Sequence, residues 1–437
     1  MKKTCNALLI VTLISFPLCF AQDEGNYRNS REQFVETSVL SGGAEDAGFG
    51  SVLAIDRDGD TLVVGATNDT VNGNFKEGSV YIFQNSNEGG FRKVAQLTAS
   101  DGNSGSFFGF ASISGDGNTI VVGAPGVSAI PGAAYIYVKP LIGWKTTTET
   151  AKLTSLDVPA QDEFGSATAI NHWGDTVFVS TIQADNGAGA VYVFRRDGKH
   201  WKSTSQYSAK LTAPGSAGLG NRISLSRDGR TLLAGALGAS GSGAAYVFTT
   251  PEDGWMTTTE AARLTASDSV PFDAFGLSVS LDADGDTALV GASSQGPGFP
   301  DPITPGAVYL YTRPRDGWVD MTESAKVTAS DGQPGDEFGT SIAIAPNGKT
   351  AFVGAFSAGS AYLYDEPRDG WETTAQFQQK LKAHGNPVEF GSAVLIVPRE
   401  GNETLVVGAE GATINPNPPF SGAVYLFQRV HREKDKN

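Results

Sequence analysis

The chain has 437 residues, 54 of them glycine, with only 18% charged residues and a net charge of −15. That composition favours many short strands and tight turns over long helices, and apolar residues recurring throughout exclude wholesale disorder. The acidity argues against nucleic acid and anionic lipid surfaces as partners, since both need a basic face; cations, neutral sugars and basic protein patches remain, beside plain solubility.

Taken in chain order, residues 1–21 read as an export signal. Lys2 and Lys3 open it, an apolar run follows from Ala7 to Phe20, and Ala21 is a small residue suited to cleavage before Gln22. The run is short for a membrane span. Lipidation at Cys19 is disfavoured by the bulky Phe16, Pro17 and Leu18 before it. Cleavage takes the net charge to about −17 and removes both cysteines, Cys5 and Cys19. The expected product is secreted, periplasmic or cell-surface, without disulfides or a thiol nucleophile. Residues 22–33 read as a flexible lead-in, 34–428 as one repeat domain and 429–437 as a charged tail. No later stretch is long and apolar enough to span a membrane as a helix.

Seven units follow, each opened by Phe-Gly or a relative: Phe49-Gly50, Phe108-Gly109, Phe164-Gly165, Leu219-Gly220, Phe275-Gly276, Phe338-Gly339 and Phe390-Gly391. Their spacing suits four strands with their loops. A first strand such as Ser51–Ile55 leads to a polar turn, often Asp-Gly, the pair that hairpin turns favour. A second strand ends in Gly-Ala (Thr61–Ala66), and a third opens on Gly and runs into aromatics (Gly78–Phe83). The fourth carries Lys-Leu-Thr or a relative, as at Lys152–Thr154. The second and third strands are apolar on both faces, so both must be covered, as blades packed around an axis would do. The Gly-Trp pairs at Trp255, Trp318 and Trp371 read as aromatic seals of the rim. The last unit stops after its third strand, while Phe34–Leu40 is an orphan strand before the first unit. Joining them closes a ring and removes the open sheet edges.

These residues resemble the FG-GAP repeat of the integrin α-subunit propeller and of exported bacterial proteins, over roughly residues 34–428. The resemblance implies an all-β, seven-bladed β-propeller of four-stranded antiparallel blades, with the N-terminal strand completing blade 7. Three departures stand out: Pro follows Gly-Ala only at Pro125, Ser180-Thr181 replaces Gly-Ala in unit three, and Leu219 replaces Phe in unit four.

Integrin-type repeats often carry a calcium loop between the first two strands. The equivalents here, Asp56/Asp58/Asp60 and Asp282/Asp284/Asp286, alternate three carboxylates but lack the extension with the last ligand. They read either as Asp-Gly turns or as calcium loops; no other cofactor is expected. A second acidic set joins each fourth strand to the next unit: Asp101; Asp157, Asp162 and Glu163; Asp268 and Asp273; Asp331, Asp336 and Glu337. These connectors share a face with the loops between second and third strands, which are longest at 67–77, 293–305 and 410–421. Variable loops on a rigid scaffold are where binding sits, so this acidic face is the expected contact surface, with the acids otherwise serving as solvated turns. His172, His200, His384 and His431 form no metal spacing, and no nucleophile elbow or phosphate loop is visible. The leading expectation is a monomeric, non-enzymatic adhesion or interaction module for an extracellular protein or carbohydrate. The alternative is a carbohydrate-active hydrolase or lyase with carboxylates at the central channel.

Overall fold

The computed structural model describes residues 32–42, 47–86, 90–126, 130–251, 254–293, 304–385, 387–397, 403–413 and 421–431. The expected export signal, the lead-in to residue 31, residues 432–437 and most of the two loops at 293–305 and 410–421 lie outside them. Seven antiparallel sheets form a β-propeller, and the described chain has almost no helix. In each blade the strand after Phe-Gly lies nearest the axis, where it meets its counterparts in the two adjoining blades. The Gly-Ala strand, the aromatic strand and the Lys-Leu-Thr strand follow outward, as in blade 1 at Phe49–Ile55, Thr61–Ala66, Ser79–Ser86 and Gly90–Leu97. The second strands are buried along their whole length in almost every blade, because both faces are covered by neighbours.

The repeat's fixed residues hold blade to blade. Each Phe of the Phe-Gly pair is buried edge-on against aromatics of its own third strand, as Phe275 is with Tyr309 and Tyr311 at 5.5 and 6.4 Å. The following Gly presses on the Gly of the preceding blade's Gly-Ala. A methyl placed on Gly123 would stand 2.1 Å from the Gly165 carbonyl oxygen, and one on Gly408 2.1 Å from that of Gly50. No side chain fits there, which is why the sequence repeats glycine at both places. Outside, the Thr-rich segment after each Gly-Trp runs parallel to the previous blade's outer strand, pairing Leu97 with Thr147, Leu153 with Thr204, Leu211 with Thr258, Leu264 with Met321 and Val327 with Thr374. The indole N–H groups of Trp201, Trp255, Trp318 and Trp371 donate to Gly174, Gly229, Gly285 and Gly348 carbonyls at 2.9, 2.9, 3.1 and 2.9 Å. Each tryptophan thus seals the polar turn of its own blade.

The N-terminal strand closes the ring. Glu32–Leu40 pairs antiparallel with Ala423–His431 as the outer strand of blade 7. Both strands run past the boundaries at Phe34 and residue 428 expected from sequence, because the register continues to Glu32 opposite His431. On the inner side Phe49 bridges Gly422, so blade 7 packs on blade 1 as any other pair does.

Candidate binding face and axial channel

Two of the three departures from the repeat meet at one junction. Ser180 of blade 3 lies against Gly220 of blade 4, where a methyl on that glycine would be 2.6 Å from the Ser180 Cβ. Ser180 is buried and its hydroxyl accepts the Ala167 N–H at 2.8 Å. A polar side chain is tolerated there because it is hydrogen-bonded.

The face between the two turn sets is decided by what the carboxylates do. Four connector acids act as staples into the following blade. Asp101 accepts from the Tyr135 hydroxyl at 2.9 Å and from Lys152 Nζ at 2.5 Å, with that ammonium 5.2 Å from the Tyr135 ring centroid. Asp268 repeats this with Tyr309 at 2.8 Å and Lys326 at 2.5 Å. Asp157 accepts from Tyr192 and Tyr207 and lies 3.5 Å from Lys210 Nζ, and Asp331 takes Lys380 Nζ at 2.6 Å. Burial pushes Asp101 and Asp268 up, but the bonds from lysine and tyrosine outweigh it and hold both below the usual carboxylate range. Asp157 is likewise held low against its burial, chiefly by Ser155 and Lys210. The remaining connector acids are more varied. Asp273 and Asp336 accept the N–H groups of Val270 and Gln333, both at 2.7 Å, and Glu337 accepts the Ser357 hydroxyl at 2.7 Å. Asp162 and Glu163 are pushed up by burial. The acids expected to face a partner are thus mostly engaged in bonds to the ring, while the staple carboxylates stay partly exposed.

On the opposite face, Asp56 Oδ1 accepts the N–H groups of Asp60 and Thr61 at 2.8 and 3.0 Å, and Asp282 Oδ1 accepts that of Asp286 at 2.8 Å. Asn171 does the same in blade 3 at 3.0 and 3.1 Å, and the hydroxyls of Ser114 and Ser226 do it in blades 2 and 4. The position needs an acceptor to close the turn, and charge is optional. Asp58 and Asp284 are exposed at the turn tips, and Asp286 pairs with Arg313 at 2.6 Å. Among the described residues no three His, Cys, Asp or Glu side chains are grouped to hold a metal ion.

Residues that sequence reasoning missed lie at the axis. Arg222 stands on the inner strand of blade 4, three residues after Leu219 in the irregular stretch before Ile223, the place in the repeat where other blades carry Val52, Ala167, Ser278, Ser341 and Ala393. Its surface is open to solvent while protein surrounds it, as a side chain in a narrow channel must be. The surrounding protein works against its charge, and Glu410 favours it. Blades 4 and 7 are not neighbours, so these charges influence one another across the axis. Glu410 itself is pushed up by burial and by Glu389, which burial also raises. An unusually long charged residue in a position otherwise small or apolar was the available sequence signal.

A family model described as FG-GAP repeat matches residues 37–83, 91–137, 147–194, 258–311 and 321–364, more than half of the chain. The chain belongs to the FG-GAP repeat family. Each FG-GAP match starts within or before an outer strand and ends in the third strand of the next blade, so the sequence unit straddles the blade boundary. The stretch containing blade 4 is unmatched, in keeping with its departures. Among solved structures this FG-GAP protein is similar to hydrazine synthase of Kuenenia stuttgartiensis, at 13% identity, covering 81% of this chain and 91% of that one with a TM-score of 0.54. It is also similar to a periplasmic gluconolactonase of Pseudomonas aeruginosa, at 18% identity, 78% and 85% coverage and a TM-score of 0.51. At such identities the likeness is one of fold. No curated protein matches the sequence.

Proposed function

We propose that the protein is an exported binding module that takes an extracellular protein or carbohydrate on its loop-bearing face without chemical turnover. The observation that carries this reading is the long loop of blade 1. It is fixed on the ring, with a bridge between Val71 and Asn74 and with Phe75 and Lys76 carbonyls accepting the N–H groups of Gly105 and Phe107 at 2.9 and 3.1 Å. Thus held, it presents Phe75 60% exposed, with Lys76 Nζ 5.4 Å from that ring and 5.7 Å from Phe107. An aromatic held in place before contact loses little entropy on binding, which is how an anchor residue works. The test is an array of glycans and extracellular ectodomains with product analysis. Grafting short turns onto loops 67–77, 293–305 and 410–421 should abolish capture, and Phe75→Ala should weaken it about tenfold. Capture indifferent to all three grafts would overturn the assignment.

One observation favours a second reading, hydrolysis or elimination at the axis: Glu389 is pushed up by burial, and Glu410 by burial and by Glu389 against the opposing charge of Arg222, a raised carboxyl being suited to act as a general acid. Cleaved products from a captured glycan that disappear with Glu410→Gln would decide for this reading.

A further inference from the structure

We propose that the junction between blades 3 and 4 accepts an aspartate-bearing peptide segment, whose carboxylate takes the place that the connector aspartates hold at the stapled junctions. The proposal rests on the reading of the loop-bearing face as a binding face and names the chemistry of its partner. Where three connectors read Leu-Thr-Ala-Ser-Asp (97–101, 264–268) or Val-Thr-Ala-Ser-Asp (327–331) and a fourth Leu-Thr-Ser-Leu-Asp (153–157), this one reads Leu211-Thr212-Ala213-Pro214-Gly215; the connector into blade 7, Leu381-Lys382-Ala383-His384-Gly385, likewise ends on glycine. The staple's acid is absent, yet its receiving groups remain. Tyr246 stands where Tyr135 and Tyr309 stand, fully buried, and its hydroxyl has no hydrogen-bond partner. Arg263 replaces the lysine. Its Nη2 donates to Ser240 at 2.7 Å, where blade 3 has Lys210 paired with Asp185 at 3.0 Å. Its Nε is unpartnered, and it makes no ion pair among the described residues.

A third group points the same way. Glu149 and Glu323 each accept both the N–H and the hydroxyl of the connector serine, Ser100 at 3.0 and 2.6 Å and Ser267 at 2.9 and 2.6 Å. The equivalent Glu260 faces Pro214, which has neither donor, and its Oε2 is buried without a partner. Space is open as well: a methyl placed on Gly215, Gly218 or Gly241 would meet nothing within 4 Å. Buried donors and acceptors left unpaired cost free energy that a ligand supplying their partners recovers. Arg263 is half-buried and meets the carboxylate first, offering the forked geometry that carboxylates favour. Glu260 does not bar a carboxylate, since Asp101 sits equally close to Glu149's blade-mate Tyr135 and stays ionised. Repulsion from the acidic chain as a whole is screened beyond about 8 Å at physiological salt. Because four connectors already seat an aspartyl side chain on a peptide backbone, a peptide rather than a sugar acid is the shape this site takes.

The probe is acetyl-Ala-Ser-Asp-Gly-amide titrated into the full-length exported chain by NMR. Saturable binding is expected, at least tenfold weaker for the Asn peptide and for Arg263→Gln. Gly215→Asp, which supplies the carboxylate from within, should block the site; Gly215 sits at φ +71°, so the substitution also carries backbone strain and is read by peptide binding rather than by melting temperature. No binding of the aspartyl peptide, equal binding of the Asn peptide, or tighter binding of glucuronate would overturn the proposal. The ligand-side change leaves the protein intact, so misfolding of a variant cannot mask the answer. Loop grafting does not touch this junction. A chain that captures a partner through its loops yet ignores the peptide therefore overturns this proposal alone, and one that takes the peptide with no loop-dependent capture overturns only the loop assignment.

Discussion

Blades 4 and 5 are built from the same strand order, yet they greet the preceding connector differently. At blade 5, Asp268 bonds Tyr309 and Lys326, and Phe275 fills the space beneath them. At blade 4 the acid is Gly215, the phenylalanine is Leu219, the facing glycine is Ser180, and Tyr246 and Arg263 keep unpaired polar atoms. The difference teaches that backbone closure and staple are separable: glycine contacts and outer-strand pairing hold blade 4 in the ring without the acid. What the staple adds is local pairing, and where it is missing polar atoms of Tyr246, Arg263 and Glu260 stay unpaired.

The comparison breaks most completely if the ring itself is opened. A chain lacking residues 32–40 loses the outer strand of blade 7, and we expect no folded monomer by circular dichroism and size exclusion, with the missing strand added as a peptide restoring both. Next in size, Phe275→Ala should cost about 3–5 kcal/mol in chemical denaturation, because a buried ring edge-packed on two tyrosines is removed. Asp268→Asn should cost about 1 kcal/mol, little because the Asp268–Lys326 pair is partly exposed and screened, and it should make blade 5 resemble blade 4.

The pH dependence sharpens the contrast with the smallest effects. Asp101, Asp157 and Asp268 are held below the usual carboxylate value of 3.8, so the stability they add is complete above it and is lost as pH falls through their lowered values. Asp101→Asn combined with Asp268→Asn should flatten that acid loss in melting curves between about pH 2 and 5. Glu389 and Glu410 are raised above 4.5 and run the other way, costing stability as pH climbs through that region. Glu410→Gln should therefore raise the melting point at neutral pH and leave it unchanged in acid.

The fold was legible in the sequence because its constraints are local and repeated: a phenylalanine that must fill the base of each blade, glycines where backbones touch, and an orphan strand matched to an incomplete blade. The fate of the acids was not. Asp101 and its counterparts lie on exposed connectors, and only the neighbouring blade's tyrosine and lysine, 34 and 51 residues further on, turn them inward. Asp56 reads from sequence as a turn residue or a calcium ligand, and only its hydrogen bonds, matched by those of Asn171 and Ser114, give the acceptor role that the turn requires. The influence of Glu410 on Arg222 across the ring depends on the ring's diameter, which no short-range pattern encodes.

The claim that connector carboxylates bind the ring together is tested most directly by a double-mutant cycle of Asp268→Asn and Lys326→Met, followed by chemical denaturation. The two side chains should couple by about 0.5–1 kcal/mol, with partner capture unchanged in either single variant. Additive losses, together with capture abolished by Asp268→Asn alone, would show instead that the carboxylate serves the partner.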